Sequence, residues 1–121
     1  MLGSNDPYWP PDSASLYLAG VGPASVLYLP NNDHVPDDVR RLADGLMALA
    51  DVVADGSVLP AVALEVAVAG DDVEVAVTAD APSRRARVWV ARSANRDFRY
   101  EPYVAQRARR QGDGSYATTV P

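Results

Sequence analysis

The chain has 121 residues, a formal net charge of −5 and 48% apolar residues, a composition typical of one globular domain or two small pieces. The absence of cysteine and the single histidine exclude a disulfide framework, a thiol nucleophile and a cysteine-ligated metal site, so we expect no metal and no cofactor. No window reaches the ~18 consecutive apolar residues of a membrane helix, and the amino terminus lacks the basic and apolar segments of a signal peptide.

Acidic and basic residues are unevenly distributed along the chain. Residues 1–80 carry thirteen acidic residues and two arginines, whereas residues 81–121 carry nine arginines and three acidic residues. The basic end either contacts nucleic-acid phosphates or pairs with acidic strands within one fold. The negative net charge and the absence of lysine favour the second interpretation, so we expect no nucleic-acid partner.

The first part of the chain predicts a short helix, a buried strand and a loop. Pro10 and Pro11 precede "DSASLYLAG", which predicts a helix that Asp12 or Ser13 caps and that ends at Gly20. The sequence "ASVLYLP" (24–30) is apolar on both faces and bounded by Pro23 and Pro30, as in a strand of a parallel sheet. The loop "NNDHV" follows.

A long amphipathic helix is predicted from about Pro36 to Asp55. Proline suits the first helical position, and Asp37 and Asp38 complement the positive end of the helix dipole. Apolar residues recur at intervals of three and four and form one stripe, which comprises Val39, Leu42, Ala43, Leu46, Leu49, Ala50 and Val53.

After residue 58 the apolar period changes to two, which predicts β-strands. The clearest alternating segments are "AVALEVAV" (61–68), "DVEVAVTA" (72–79) and "RARVWVAR" (85–92), with shorter candidates near 101–107 and at 115–120. Short strands at this spacing favour an antiparallel immunoglobulin-like sandwich, although five strands are fewer than the roughly seven that such a sandwich needs. We therefore expect two domains, 1–58 and 59–121, the second a partial β-sandwich.

Asp6 and His34 are the candidate catalytic residues. A buried strand, a loop and a long helix resemble the closing unit of an α/β-hydrolase fold, in which the triad acid precedes the histidine and both lie on loops at strand ends. A carboxylate bonded to one ring nitrogen fixes the histidine tautomer and stabilises the imidazolium that forms during catalysis. The alternative is that His34 is an ordinary loop or helix-capping residue and that Asp6-Pro7 is an ordinary turn.

Two motifs resemble the PhoPQ-activated pathogenicity-related family of α/β-hydrolase-like proteins. The first comprises "LGSNDPYW" (2–9) and "YLPNNDH" (28–34), and the second is "WVARSANRDFRYEPY" (89–103). The resemblance implies that Asp6 is the triad acid, that His34 is the triad base and that the serine nucleophile lies upstream. It also implies a bacterial parent protein that is exported to the periplasm or beyond the cell.

None of the eight serines of the chain lies in a Gly-x-Ser-x-Gly sequence. We therefore expect a carboxy-terminal fragment of a serine hydrolase that acts on ester or amide bonds of a small-molecule or peptide substrate, inactive on its own. One alternative is a non-catalytic β-sandwich binding module with a vestigial hydrolase remnant, and another is a structural piece that completes another polypeptide's hydrolase core. Exposed apolar surface would favour self-association or a complementing amino-terminal half.

Two further sets of residues have open interpretations at this stage. The string Arg96-Asp97-Phe98-Arg99 either binds an anionic ligand or is structural, with Asp97 in a turn, Phe98 in the core and the arginines paired. The structural interpretation is favoured. Tyr8 and Trp9 either line a substrate cleft beside Asp6 or pack beneath the loop.

Overall fold

The computed structural model describes residues 1–21 and 24–121, so the strand boundary predicted at Pro23 lies outside the described residues. The chain divides into two compact units. The first unit comprises Met1–Ser57 and Ala91–Tyr103, and the second comprises Val58–Val90 and Val104–Pro121. The chain therefore returns to the first unit after it has begun the second.

The first unit begins with two short parallel strands. Strand β1 (Leu2–Gly3) pairs with strand β2 (Tyr28–Leu29), so that Leu2 lies opposite Tyr28 and Gly3 opposite Leu29. The strand expected over 24–30 is shorter than predicted because its partner offers only two residues for pairing. The side chain of Leu29 is completely buried, which fits the apolar run from which it comes.

Two 3-10 helices, Pro11–Leu16 and Leu18–Gly20, replace the predicted helix between β1 and β2. The expected caps are wrong, since Pro10 occupies the N-cap position and no side chain caps this helix. The main chain of Tyr17 has φ −128° and interrupts the helical path, so a regular α-helix does not form. Within this region Ala14 is buried.

Helix α1 spans Val39–Asp55 and begins later than the sequence predicts. The Asp38 carboxylate accepts a hydrogen bond of 3.1 Å from the Arg41 main-chain N–H, which makes Asp38 the N-cap. Pro36 and Asp37 consequently precede the helix. Gly56 ends it in the left-handed region at φ 74°, where glycine has no steric penalty.

The apolar stripe of α1 remains largely exposed within the first unit. Helix α1 lies close to Leu27 at Gly45, where a Cβ atom would overlap the Leu27 side chain. Four large apolar side chains of the stripe are exposed: Val39, Leu46, Leu49 and Val53. The first unit therefore presents an uncovered apolar helix face.

The second unit is a curled antiparallel sheet of five strands in the order β3-β4-β7-β6-β5. Its strands are β3 (Val62–Ala69), β4 (Asp72–Ala79), β5 (Ala86–Val90), β6 (Val104–Arg110) and β7 (Tyr116–Val120). All five strands match segments that the alternating pattern predicts. The architecture is rich in β-structure, of the α+β type, and compatible with a β-sandwich.

Cross-strand register separates an apolar from a polar face of this sheet. Val66 lies opposite Val75, which in turn lies opposite Thr118, whereas Glu65 lies opposite Ala76. The buried apolar side chains of the second unit are those of Val75, Ala108 and Tyr116. Strand β3 is an edge strand whose residues are all exposed. No helix in the described part of the chain is long and apolar enough to cross a membrane.

Candidate acid–base site

The two candidate catalytic residues follow neighbouring parallel strands. The Ser4 N–H donates to the Leu29 carbonyl at 3.0 Å, and the Asn5 N–H donates to the Asn32 carbonyl at 2.9 Å. The chain segments after β1 and β2 therefore run side by side beyond the strands themselves. Because parallel strands end at the same edge, the turn that contains Asp6 and the loop that contains His34 lie together.

Gly3 allows this close approach of the two segments. A Cβ atom at this position would overlap the carbonyl oxygens of Asn32 and Asp33 and would lie 2.9 Å from the Asn32 carbonyl carbon. Those atoms belong to the main chain of the histidine loop, so they cannot move aside as a flexible side chain can. A residue without a side chain is therefore required where β1 leads into the acid turn.

The Asp6 carboxylate organises its own turn. Its Oδ1 atom accepts hydrogen bonds from the main-chain N–H groups of Tyr8, at 2.8 Å, and Trp9, at 3.1 Å. Pro7 has no N–H and fixes its own φ, which favours this Asx-type turn. Asp6 is only 4% exposed. One carboxylate oxygen is thus held by the turn, and the other is left to face the histidine loop.

The His34 ring bonds to that second oxygen. Its Nδ1 atom lies 2.9 Å from Asp6 Oδ2. An ionised carboxylate can only accept a hydrogen bond, so Nδ1 carries the proton and Nε2 keeps a free lone pair. The His34 side chain is 49% exposed, which leaves the ring accessible to a reacting group. The pair therefore has the geometry of a carboxylate that orients a general base.

Competing effects set the pKa of Asp6. Burial acts to raise the pKa of this carboxyl group, and the hydrogen bond from His34 acts to lower it. The hydrogen bonds from the Tyr8 and Trp9 main chain and the charge of His34 lower it further, so that the pKa lies below its ordinary value. Asp6 is therefore ionised at neutral pH, as the orientation of His34 requires.

Tyr8 and Trp9 contribute their main-chain N–H groups to the acid turn, while both side chains are exposed. The Tyr8 ring stands edge-on to the His34 ring, with the ring centroids 5.1 Å apart. Packing beneath the loop, one of the two open interpretations, does not describe these exposed rings. Tyr8 instead forms one side of the surroundings of His34.

Asn32 joins the histidine loop to helix α1, a role that the sequence analysis did not assign. Its Oδ1 atom accepts hydrogen bonds from the N–H groups of Asp37, at 2.9 Å, and Asp38, at 3.0 Å. Its Nδ2 group donates to the Pro30 carbonyl at 2.9 Å, and the residue is 3% exposed. The only available signal was the clustering of asparagines before His34, a composition that favours side-chain to main-chain bonding in turns.

The string Arg96-Asp97-Phe98-Arg99 forms a self-bonded loop in the first unit. The Asp97 N–H donates to the Asn95 side chain at 3.0 Å, and Asp97 pairs with the Arg99 guanidinium at 2.6 Å. The hydrogen bonds from Arg99 lower the pKa of Asp97 to about 2. Phe98 is half-buried, with its ring centroid 6.4 Å from that of Tyr103. The turn at Asp97 and its pairing with Arg99 agree with the structural interpretation, whereas Phe98 is half-buried and is not one of the core residues.

No serine in the described residues bonds to His34, whose hydrogen bonds use its main-chain N–H and Nδ1. Ser4 is nearest in sequence to Asp6, but its hydroxyl accepts from the Asn31 N–H and donates to the Asn5 side chain. Residues 1–21 and 24–121 also contain no group of three or more acidic or histidine side chains that could hold a metal ion. In the described residues, the Asp6–His34 pair is therefore bonded to no serine and to no cluster of possible metal ligands.

Comparison with protein-family models gives a match over most of the chain. The model of the family described as PhoPQ-activated pathogenicity-related protein matches residues 1–99, which include the acid turn, the histidine loop and the Arg-Asp-Phe-Arg string. Comparisons with curated proteins and with solved structures found no match.

Proposed function

Because the chain belongs to the PhoPQ-activated pathogenicity-related protein family, we propose that it supplies the acid and the base of a serine-hydrolase triad. Asp6 is the acid and His34 is the base in this proposal. The observation that carries it is the 2.9 Å hydrogen bond between the buried Asp6 carboxylate and Nδ1 of the half-exposed His34 ring. The two sequence motifs, whose resemblance implies an α/β-hydrolase-like protein, also support this assignment.

The first unit then corresponds to the closing strand, loop and helix of an α/β-hydrolase fold. Parallel pairing of β1 with β2 supports this proposal, as does the position of both candidate residues just after those strands. Helix α1 follows the histidine loop, which is the expected chain order. The uncovered apolar face of α1 is the surface against which the rest of such a fold would pack.

The proposed chemistry assigns a separate task to each atom of the pair. His34 Nε2 accepts the proton of a serine hydroxyl as that oxygen attacks the carbonyl carbon of an ester or amide, and later delivers it to the leaving group. Asp6 stays ionised and holds Nδ1–H, so that the ring cannot rotate or exchange tautomers. The substrate is a small molecule or a peptide.

The nucleophile in this proposal comes from polypeptide outside these 121 residues. Ser4 is buried, and its hydroxyl is hydrogen-bonded to the Asn5 side chain and the Asn31 N–H, so it cannot reach a substrate as a nucleophile. None of the other serines has the Gly-x-Ser-x-Gly context of a nucleophile elbow. A complementing amino-terminal half is therefore the partner that this function requires.

The test measures ester hydrolysis by this chain alone and by the same chain joined to the serine-bearing part of a related family member. We expect no turnover by the chain alone. In the joined protein, His34→Ala should lower kcat by about 10⁶-fold and Asp6→Asn by about 10⁴-fold, as in serine proteases. Asp12→Asn, an exposed acid in the same unit, should have no effect. Hydrolysis that survives His34→Ala would overturn the proposal.

A groove on the second unit favours the alternative of a binding module. It has a volume of about 900 Å³, and its lining includes the acidic residues Glu65 and Glu74 and the basic residues Arg107 and Arg109. NMR titration of the chain with a library of small zwitterionic compounds would separate the two functions. Specific shifts of groove residues, together with the absence of hydrolysis by the joined protein, would favour the binding module.

A further inference from the structure

The segment Phe98–Tyr103 is held against the acid turn and the histidine loop by two asparagine side chains. The Asn5 Nδ2 group donates to the Phe98 carbonyl at 2.7 Å and to the Glu101 carbonyl at 2.9 Å. The Asn31 side chain donates to the Tyr103 carbonyl at 2.9 Å and accepts from the Tyr103 N–H at 2.6 Å. Four hydrogen bonds thus join parts of the chain that are more than seventy residues apart.

The two asparagines are also bonded to each other through Ser4. The Asn31 N–H donates to the Ser4 hydroxyl at 2.8 Å, and that hydroxyl donates to Asn5 Oδ1 at 2.9 Å. Ser4 is 5% exposed, so these bonds are shielded from water. One continuous network therefore includes the acid turn, the histidine loop and the distant segment. We call it the asparagine clamp, made of Ser4, Asn5, Asn31 and the main chain of Phe98–Tyr103.

Each asparagine suits its place for a physical reason. Asn5 needs two donors for two carbonyls and one acceptor for the Ser4 hydroxyl, and among small side chains an amide provides both. Asn31 has φ 58°, a left-handed conformation that asparagine tolerates better than most residues. It therefore turns the chain after β2 and bonds both polar main-chain groups of Tyr103 at once.

The clamp acts next to the proposed catalytic pair without touching the reacting atoms. Asn5 is the residue before Asp6, and Asn31 is three residues before His34. Two residue pairs join β1 to β2, and the main-chain hydrogen bonds of Ser4 and Asn5 continue this pairing into the two loops. The clamp adds four hydrogen bonds from the distant segment to this main-chain pairing.

We infer that Asn5 and Asn31 are positioning residues of the Asp6–His34 pair, and that the main chain of Phe98–Tyr103 is a structural component of the site. This inference rests on the proposed function for its catalytic consequence. Its geometric content, that the clamp keeps His34 bonded to Asp6, can be tested in the isolated chain. Loss of the clamp should separate the loops, release Nδ1 from the carboxylate and let the imidazole adopt both tautomers.

The first test uses ¹⁵N NMR of the His34 ring in the isolated chain, which distinguishes the Nδ1–H tautomer from the Nε2–H tautomer. The variants are Asn31→Ala and Asn5→Ala, and Asn95→Ala is the matched control. Asn95 lies just before the distant segment, and in the described residues its side chain accepts hydrogen bonds from the Ser93 hydroxyl and the Asp97 N–H. We expect the Nδ1–H tautomer to predominate in the wild type and the control, and to fall to a mixture in the clamp variants.

A second pair of variants changes Tyr103, whose main chain is bonded by the Asn31 side chain. Tyr103→Pro removes the N–H that Asn31 accepts and leaves residues 1–57 unchanged, whereas Tyr103→Ala keeps that N–H and removes only the ring. We expect Tyr103→Pro to change the His34 tautomer ratio and the carboxyl titration of Asp6, and Tyr103→Ala to change neither. In the joined, active protein Tyr103→Pro should lower kcat on the order of 10²-fold, the effect of a displaced catalytic group, with little change in KM.

Unchanged His34 and Asp6 spectra in folded Asn31→Ala and Tyr103→Pro proteins would overturn the inference. Unfolding of the first unit in both variants would overturn it too, since the clamp would then maintain the fold rather than the pair. Neither result depends on hydrolysis. Survival of ester hydrolysis in His34→Ala would contradict the proposed function alone and leave the NMR result on the clamp standing.

Discussion

The two units of this chain are held by different kinds of hydrogen bond. In the second unit, ladders of main-chain bonds join five strands, and eight consecutive residue pairs connect β3 to β4. In the first unit two residue pairs join β1 to β2, and a few main-chain bonds extend this pairing. The loops there are held in addition by individual side chains, those of Asp6, Asn5, Asn31 and Asn32. The buried polar residues Ser4, Asp6 and Asn32 all belong to this first unit.

This difference predicts how each unit responds to substitution. A ladder is built from groups that every residue except proline carries, so most exposed side chains in it can change at little cost. A loop held by one carboxylate or one amide loses several bonds when that side chain is removed, and buried partners are left unsatisfied. The proposed catalytic function therefore lies in the unit that is more sensitive to single substitutions.

The largest effect is expected for Gly3→Ala in the first unit. The new methyl group would overlap main-chain carbonyls of the histidine loop, so the two segments would have to separate. Overpacking of this kind costs about 1–3 kcal/mol in the free energy of unfolding. Urea denaturation measures it, with Gly20→Ala as the matched control, because a Cβ there meets no atom within 4 Å. Equal stability of the two variants would show that the loops are not closely apposed.

The second prediction concerns how the stability of the folded chain changes at low pH. Because the pKa of Asp6 is lower in the folded chain than in the unfolded one, the unfolded state binds the proton more readily. The stability that this group contributes is complete above its ordinary pKa of 3.8 and is lost as the pH falls through the lower folded value. At neutral pH, Asp6→Asn should therefore have a lower free energy of unfolding than the wild type. On acidification below pH 4, the variant should lose less of this free energy than the wild type does. Urea denaturation at several pH values measures both differences. A steeper loss in the variant would contradict this assignment.

The third prediction concerns the exposed apolar face of α1. Leu46 is 52% exposed, and Leu49 and Val53 are exposed beside it, so copies of the isolated chain should associate through this face. Light scattering during size-exclusion chromatography should show a mass that rises with concentration, and Leu46→Glu should reduce it. Val66→Lys on the exposed edge strand β3 tests the competing surface. A monomer at all concentrations would exclude both.

The smallest effect is expected for a substitution on the ladder of the second unit. Thr119 on β7 is exposed, and its main-chain carbonyl accepts from the Gln106 side chain. Thr119→Val keeps the branched shape that favours strands and leaves that carbonyl in place. We expect the unfolding free energy to change by no more than about 0.5 kcal/mol. A larger loss would mean that side chains, and not the ladder, determine the stability of the sheet.

The parts of the fold that the sequence predicted are those with a regular period or a local signal. Alternation of valine with polar residues located the strands of the second unit, and the stripe from Val39 to Val53 located α1. The 3-10 helices were mistaken for one helix, because an apolar pattern of this length does not distinguish the two forms. Strand β1 was missed since two residues are too few to show a period.

The site was predictable to a similar, limited extent. Asp6 and His34 could be named from motif order, and the structure brings their side chains into hydrogen-bonding distance, while their catalytic role stays a prediction. The clamp could not be predicted, because Asn5 and Asn31 bond main-chain groups more than seventy residues away. Every residue has a main-chain carbonyl, so the sequence does not indicate which distant residue accepts a hydrogen bond from an asparagine side chain.

The most direct test of the central claim is the ¹⁵N NMR spectrum of the His34 ring in the wild type and in Asp6→Asn. If Asp6 orients the base, the neutral His34 ring of the wild type carries its proton on Nδ1. In Asp6→Asn the tautomer ratio should shift toward Nε2–H, because the amide of the new side chain can donate a hydrogen bond to Nδ1. A wild-type ring that is predominantly Nε2–H, or a tautomer ratio that Asp6→Asn leaves unchanged, would contradict the account.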